Sequence, residues 1–240
     1  MKTIALLAST ICLFLSGCSR DPDTEATGPD AAAFEEIEYS PYVGDYDPAP
    51  LPANEIRPLF GDTHLHTSYS VDAGMVGNVL DPPDAYRYAR GEVITASNGV
   101  RTRLKRPLDF LVVADHAEAL GVAPMIRRSD PSILEDPLGK QLHALVMEDT
   151  TESLGKAFNL FTKTKNEGTN SLASNMEFPV VPWEEIIDAA ETNNEPGQFT
   201  AFIGFEWTSA PGGNNLHRVV IFRDGKDVAN TRIPLSSDLN

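Results

Sequence analysis

"PLDFLVVADH", residues 107–116, decides how the chain folds. Phe110 to Val113 are apolar at every position. A strand with one wet face alternates apolar and polar residues. A strand apolar throughout is buried on both faces, as in a parallel sheet covered by helices. The run ends on Asp115 and His116, residues that chemistry uses and cores usually avoid. The stretch therefore predicts a central strand of an α/β protein. It also predicts polar groups at the strand's carboxyl end, where parallel folds gather their ligands.

The segments around it read in the same way. "PLFGDTHLHT" (58–67) is a short strand running into a polar loop. "DPPDAYRYARGE" (81–92) opens a helix: Asp81 is the N-cap candidate and Pro82 or Pro83 suits the first turn. Residues 136–164 read as one or two amphipathic helices, and 181–194 as another with Pro182 near its start. "FTAFIGFEW" (199–207) and "HRVVIFRDG" (217–225) are two more strands. The order strand, helix, strand, helices, strand, strand implies α/β, as a barrel or an open, mainly parallel sheet.

Ligand-type residues collect at the ends of these strands. Asp62, His64 and His66 alternate, so in an extended chain they share one face. Asp115 and His116 follow the central strand. Glu206 lies in an apolar strand, where a carboxylate is rare unless it is paired or bound to metal. His217 opens the last strand, so it must reach the others from a loop or an antiparallel partner. Four of the chain's five histidines are thus at strand termini. The fifth, His143, falls mid-helix in "KQLHALVM" and reads as a packed or surface histidine. Imidazole and carboxylate without thiolate suit zinc, manganese or iron.

The composition narrows the function. Lys and Arg number 19 against 35 acids, a formal net charge of −16. That balance excludes general nucleic-acid binding and docking on anionic lipid through charge. An anionic substrate is still compatible with it, because bound cations reverse the local field. The only cysteines are Cys12 and Cys18, so the body of the protein has neither a disulfide framework nor a thiolate site.

Residues 1–18 read as a leader. Met1-Lys2 is followed by the apolar "TIALLASTICLFL" and then "LSGC", Leu15 to Cys18. The run is too short for a comfortable membrane span. It resembles the signal peptide and lipobox of bacterial lipoproteins, which implies lipidation at Cys18. With Ser19 after it, the resemblance implies an exported protein anchored in the outer membrane, facing the periplasm or the cell surface. Residues 19–56, rich in Pro, Asp, Glu and Ala, have the composition of a disordered tether. The folded part is expected over 57–240.

Taken together, the motifs are similar to those of the PHP family of metal-dependent phosphoesterases (polymerase and histidinol phosphatase). "DTHLHTSYS" (62–70) matches that family's opening D-x-H-x-H-[ST]-x-x-S. "VVADH" matches its second motif with Ala114 in place of Thr, and "GFEW" and His217 match the third and fourth. The closest likeness is to the exported branch classed as domain-of-unknown-function family 3604. The resemblance implies a distorted (β/α)7 barrel with two or three divalent metals. His64 and His66 would hold one metal and Glu206 would bridge. His116 and His217 would serve the second or third. Asp72, displaced by one place relative to the family's S-D-G, is a further ligand candidate. Asp115 would orient a ligand or shuttle a proton, and Asp62 would support a histidine from behind.

Two departures from the family are visible. Residues 117–198 form a long, mostly helical insertion expected to shape the pocket. The family's later His and final D-x-H have no counterpart here, so the barrel is expected to be incomplete at its C-terminus, as in a fragment, and the isolated chain to bind metal weakly. The implied activity is hydrolysis of a small, anionic ester, foremost a phosphoester, with a metal-activated water. Arg127, Arg128 and Arg218 are candidates for binding the substrate anion or are surface charges. The alternatives are a metallohydrolase of another ester or an amide, and a non-catalytic metal-binding lipoprotein.

Overall fold

The computed structural model describes residues 58–209 and 215–237. The leader with Cys18 and the tether over 19–56 lie outside the described residues. Among the described residues, no helix is long and apolar enough to cross a membrane.

Three strands form a parallel sheet in the order β1 (Gly61–Leu65), β4 (Phe110–Val113), β5 (Thr200–Phe202). The register pairs Gly61 with Phe110, and Leu111 with Ala201. Central position explains the sequence of β4: Leu111, Val112 and Val113 are fully buried, whereas β1, on the edge, is largely exposed. The helix α2 (Pro82–Ala89) begins as expected, with the Asp81 carboxylate accepting from the amide of Asp84 and prolines in the first turn. It packs with α7 (Val180–Asn193) against the sheet. Tyr86, Trp183, Ile186, Ile187 and Phe199 join Leu111 and Val113 in one core.

The expected single strand over 199–207 is two. β5 ends at Phe202, and β6 (Gly204–Ser209) leaves the parallel sheet to pair antiparallel with β7 (Leu216–Ile221). Gly204 permits the changeover. A Cβ there would meet Val112 Cγ1 at 2.6 Å and the Val220 carbonyl at 2.8 Å. A small hairpin of β2 (Ile94–Thr95) and β3 (Arg101–Thr102) was not legible in the sequence.

The mixed α/β architecture with a parallel sheet is as expected. The described strands do not close a barrel: they form one three-stranded and two two-stranded sheets. The insertion is helical but divides between two layers. α7 belongs to the sheet core. α3 (Val122–Arg127), α4 (Pro131–Glu135), α5 (Pro137–Met147) and α6 (Thr151–Asn166) build a second core around Ile126, Ile133, Leu142, Val146 and Phe161, joined by the short α1 (Val71–Gly74). The segment 136–164 is two helices, separated where Thr150 and Ser153 form a reciprocal cap at the start of α6.

Candidate metal centre

The parallel ladder resumes beyond β4. Glu206 N donates to the Asp115 carbonyl at 2.9 Å, and Ala117 N donates to the Glu206 carbonyl at 2.8 Å. This bridge sets Glu206 beside His116. The antiparallel β6–β7 pair then brings His217 opposite Thr208. The start of β7 therefore lies at the end of β6, which answers how a histidine opening a strand reaches groups at strand ends. His64 and His66 come from β1 and the loop after it.

Four imidazoles converge on one carboxylate. Glu206 Oε1 lies 3.1 Å from His64 Nε2 and 2.7 Å from His217 Nδ1. Its Oε2 lies 2.9 Å from His66 Nε2 and 3.2 Å from His116 Nδ1. Glu206 is 0% exposed. These approaches have the length of hydrogen bonds without the alignment: both Glu206 oxygens and His66 Nε2 are buried with no hydrogen-bond partner. Asp72 joins from α1, with Oδ1 3.2 Å from His66 Nδ1 and Oδ2 3.4 Å from His116 Nε2. Three overlapping groups result: His64, His66 and Glu206; His66, Asp72 and His116; His116, Glu206 and His217. In each, the ligand atoms lie within 4.8 Å of one another. Every residue named as a metal ligand from the sequence is in this cluster.

Electrostatics agree with geometry. Burial alone would depress the imidazoles of His66 and His116. The Asp72 carboxylate beside both, and Glu118 beside His116, outweigh it, raising His66 and taking His116 to about 9. Burial would raise Asp72, but His116 and His66 hold it well below the usual carboxylate range. The centre is thus a reciprocal set of cation and anion sites, which a divalent ion would join by replacing protons on the rings.

Asp115 is placed differently from the ligands. It is fully buried, and its oxygens accept from Thr67 N and Thr67 Oγ1, each at 2.6 Å, and from Ser70 Oγ at 3.0 Å. Burial raises its carboxyl, opposed by the Thr67 and Ser70 bonds. Ser70 Oγ in turn accepts from His116 N at 2.8 Å. Asp115 therefore ties the loop carrying His66 to the strand carrying His116. That contact set fits positioning rather than proton transfer. Asp62 is exposed and accepts from the backbone amide of His64 at 2.8 Å, so it braces the strand instead of a ring.

Two further site residues were missed in the sequence. Thr208 Oγ1 lies 2.9 Å from His116 Nδ1 and 3.1 Å from His217 Nδ1. Glu118, 5% exposed, has Oε2 3.7 Å from His116 Nδ1, while Oε1 accepts from Ser237 N and Oγ and from Thr208 N. Their one signal is spacing: each stands two residues after a ligand, Glu206 or His116. Ala119, next to Glu118, takes a left-handed backbone (φ 54°), a conformation that costs a residue with a Cβ and that collects near functional sites.

The cluster opens on a cleft of about 770 Å³ whose lining includes His116, His217, Trp207 and residues of α6. The arginine candidates lie elsewhere. Arg127 pairs with Asp149, and Arg127 and Arg128 line a separate cavity of about 270 Å³. Arg218 stacks over Trp207. His143 receives no ligand partner and bonds Ser129 Oγ at 2.8 Å, the bland placement expected.

Fold and cluster define an α/β protein with a buried carboxylate ringed by histidines, a candidate metal-binding protein. The chain belongs to the family described as protein of unknown function (DUF3604), whose model matches residues 53–240. No curated protein and no solved structure matches the chain.

Proposed function

We propose that this protein is a divalent-metal-dependent hydrolase, foremost a phosphoesterase, built on a PHP-type barrel. It would be exported and held at the membrane by a lipid on Cys18. The observation that carries the reading is Glu206. A carboxylate removed from water with both oxygens unbonded is costly unless a cation meets it. Here the imidazoles that surround it are ligands for such a cation. No thiolate competes, so zinc, manganese or iron suit the donor set.

Glu206 would join two ions, one shared with His64 and His66 and one shared with His116 and His217, and Asp72 would complete a further position with His66 and His116. When bound, such ions supply Lewis acidity and a water acidic enough to give hydroxide near neutral pH. The chain's own residues do the rest. Asp115, Thr67 and Ser70 lock the two halves of the ligand set together. Thr208 orients the rings of His116 and His217 through Nδ1, and Glu118 backs His116. Such support from behind sets ring orientation and ligand basicity. The cleft beside the cluster admits a small organic ester. The barrel and the anchor rest on the sequence motifs. The parallel order β1-β4-β5, with helices packed on it, supports a barrel segment.

The test is metal analysis of the purified chain, followed by assay on phosphate, sulfate and carboxylate esters. The expected result is stoichiometric divalent metal and phosphoester turnover that His64→Ala abolishes. Metal bound with no turnover of any ester would leave a binding protein and sink the hydrolase reading.

A further inference from the structure

The wall of the cleft that faces away from the metal ligands carries information about the substrate. α6 contributes nothing to the three ligand groups. It nevertheless lines the cleft through Phe158, Thr162 and Lys165. The spacings of four and seven residues put these three on one helical face. Among the described residues lining the cleft, Lys165 is the only Lys or Arg. It is surrounded by the opposite charge: Asp72 and Glu118 line the same cleft, and the chain carries −16 overall. An anion is repelled by that field at long range. A single lysine in the cleft is therefore a selective feature, not part of a general basic surface. At about 770 Å³ the space suits a whole small organic molecule and is larger than a phosphoryl group alone requires.

We infer that Lys165 and Phe158 select esters whose leaving portion is an apolar, ring-sized group bearing its own anion, such as a carboxylate. The inference rests on the hydrolase reading for which bond is cut. The charge of the scissile group is met at the histidine cluster. Lys165, on another element, meets the charge at the far end, while Phe158 packs against the apolar part between. Lysine presents a compact charge on a flexible stem, so it recognises an anion without demanding one geometry.

The experiment uses the full chain loaded with manganese and two matched esters, benzyl phosphate and 4-carboxybenzyl phosphate. The KM for the carboxylate ester is expected to be about tenfold lower, the size of one charge-assisted hydrogen bond. Lys165→Gln brings the ratio of the two KM values to about one, and Lys165→Arg preserves it. A second readout needs no turnover: the dissociation constants of 4-(hydroxymethyl)benzoate and benzyl alcohol, followed by fluorescence of Trp207 in the cleft. The same preference and the same dependence on Lys165 are expected. Equal KM values in the wild type, or a ratio that Lys165→Gln leaves in place, overturn the inference. An equal rise in both KM values also overturns it, because it places Lys165 on the scissile group. If neither ester is cleaved but the benzoate preference appears and depends on Lys165, the anion site stands and the phosphoesterase reading falls.

Discussion

The knot beneath the first loop and the histidine nest beside it each bury one acid completely, and they treat it in opposite ways. In the knot, Asp115 accepts three hydrogen bonds from Thr67 and Ser70. In the nest, Glu206 has four imidazole nitrogens within 3.2 Å and no hydrogen bond to either oxygen. The two acids are one strand apart, linked through the bond from Glu206 N to the Asp115 carbonyl. The difference separates two uses of a buried charge. A satisfied carboxylate specifies structure, because removing it strands its donors. An unsatisfied one keeps its lone pairs for something the chain does not itself contain.

The largest effect should come from the nest. Glu206→Gln keeps the shape and removes the charge, so turnover should fall by about 10³ or more, with loss of bound metal, if electrostatic stabilisation by the ions drives the reaction. The metal-free variant should unfold at the same urea concentration as the wild type, or higher, since an unpaired buried charge has gone. Atomic emission and urea titration check the two halves. A strongly destabilised variant would erase the distinction between the acids. Asp115→Ala should do the reverse. It strands Thr67 N, Thr67 Oγ1 and Ser70 Oγ in the interior and should cost about 3 kcal/mol or more in urea unfolding. Wild-type stability in Asp115→Ala would show that the knot is not structural.

Much of this contrast was legible in the sequence, for physical reasons. The period of two placed His64 and His66 on one face, and the unbroken apolar run of 110–113 announced a strand buried on both sides. Glu206 stood out because its neighbours are apolar. Pairwise register was not legible. Thr208 matters because β6 and β7 run antiparallel with Thr208 opposite His217, and nothing local to "WTS" announces that partner. Glu118 matters because residues 208 and 237 reach it, contacts 90 and 119 positions away. Lys165 lies on a helix whose charged residues look alike from the sequence, and only packing shows which one faces the cleft. The assignment of proton transfer to Asp115 failed to foresee its three donors for the same reason. Sequence shows that an acid is present near a strand end; tertiary contacts decide whether it is satisfied.

Thr208 offers a finer probe of the nest. Thr208→Val keeps the volume and removes the hydroxyl between His116 Nδ1 and His217 Nδ1. Ring orientation should loosen, and metal affinity, measured by competition with a chelator, should drop by about tenfold. An unchanged affinity would mean that packing alone aims the two rings.

The smallest effect should come from an acid that never left water. Asp136 caps α5 by accepting from Leu138 N at 2.7 Å and Gly139 N at 2.9 Å. What burial it has would raise its carboxyl, but the Gly139 amide, the Ser171 hydroxyl and the Leu138 amide hold it below the ordinary 3.8. A lowered carboxylate stabilises the fold above its unfolded value and loses that contribution as the pH falls through the folded one. Asp136→Ala should therefore cost about 1 kcal/mol at pH 7, the usual worth of an N-cap. Wild type and variant should converge as the pH drops below about 4, the ordinary carboxylate range. The comparison calibrates the other two acids. Asp115 makes the same kind of bond, carboxylate to backbone amide and hydroxyl, so an excess of its cost over Asp136 measures what burial adds. If the two costs are equal, the knot is a cap in a dry place, and the contrast with Glu206 rests on ligand chemistry alone.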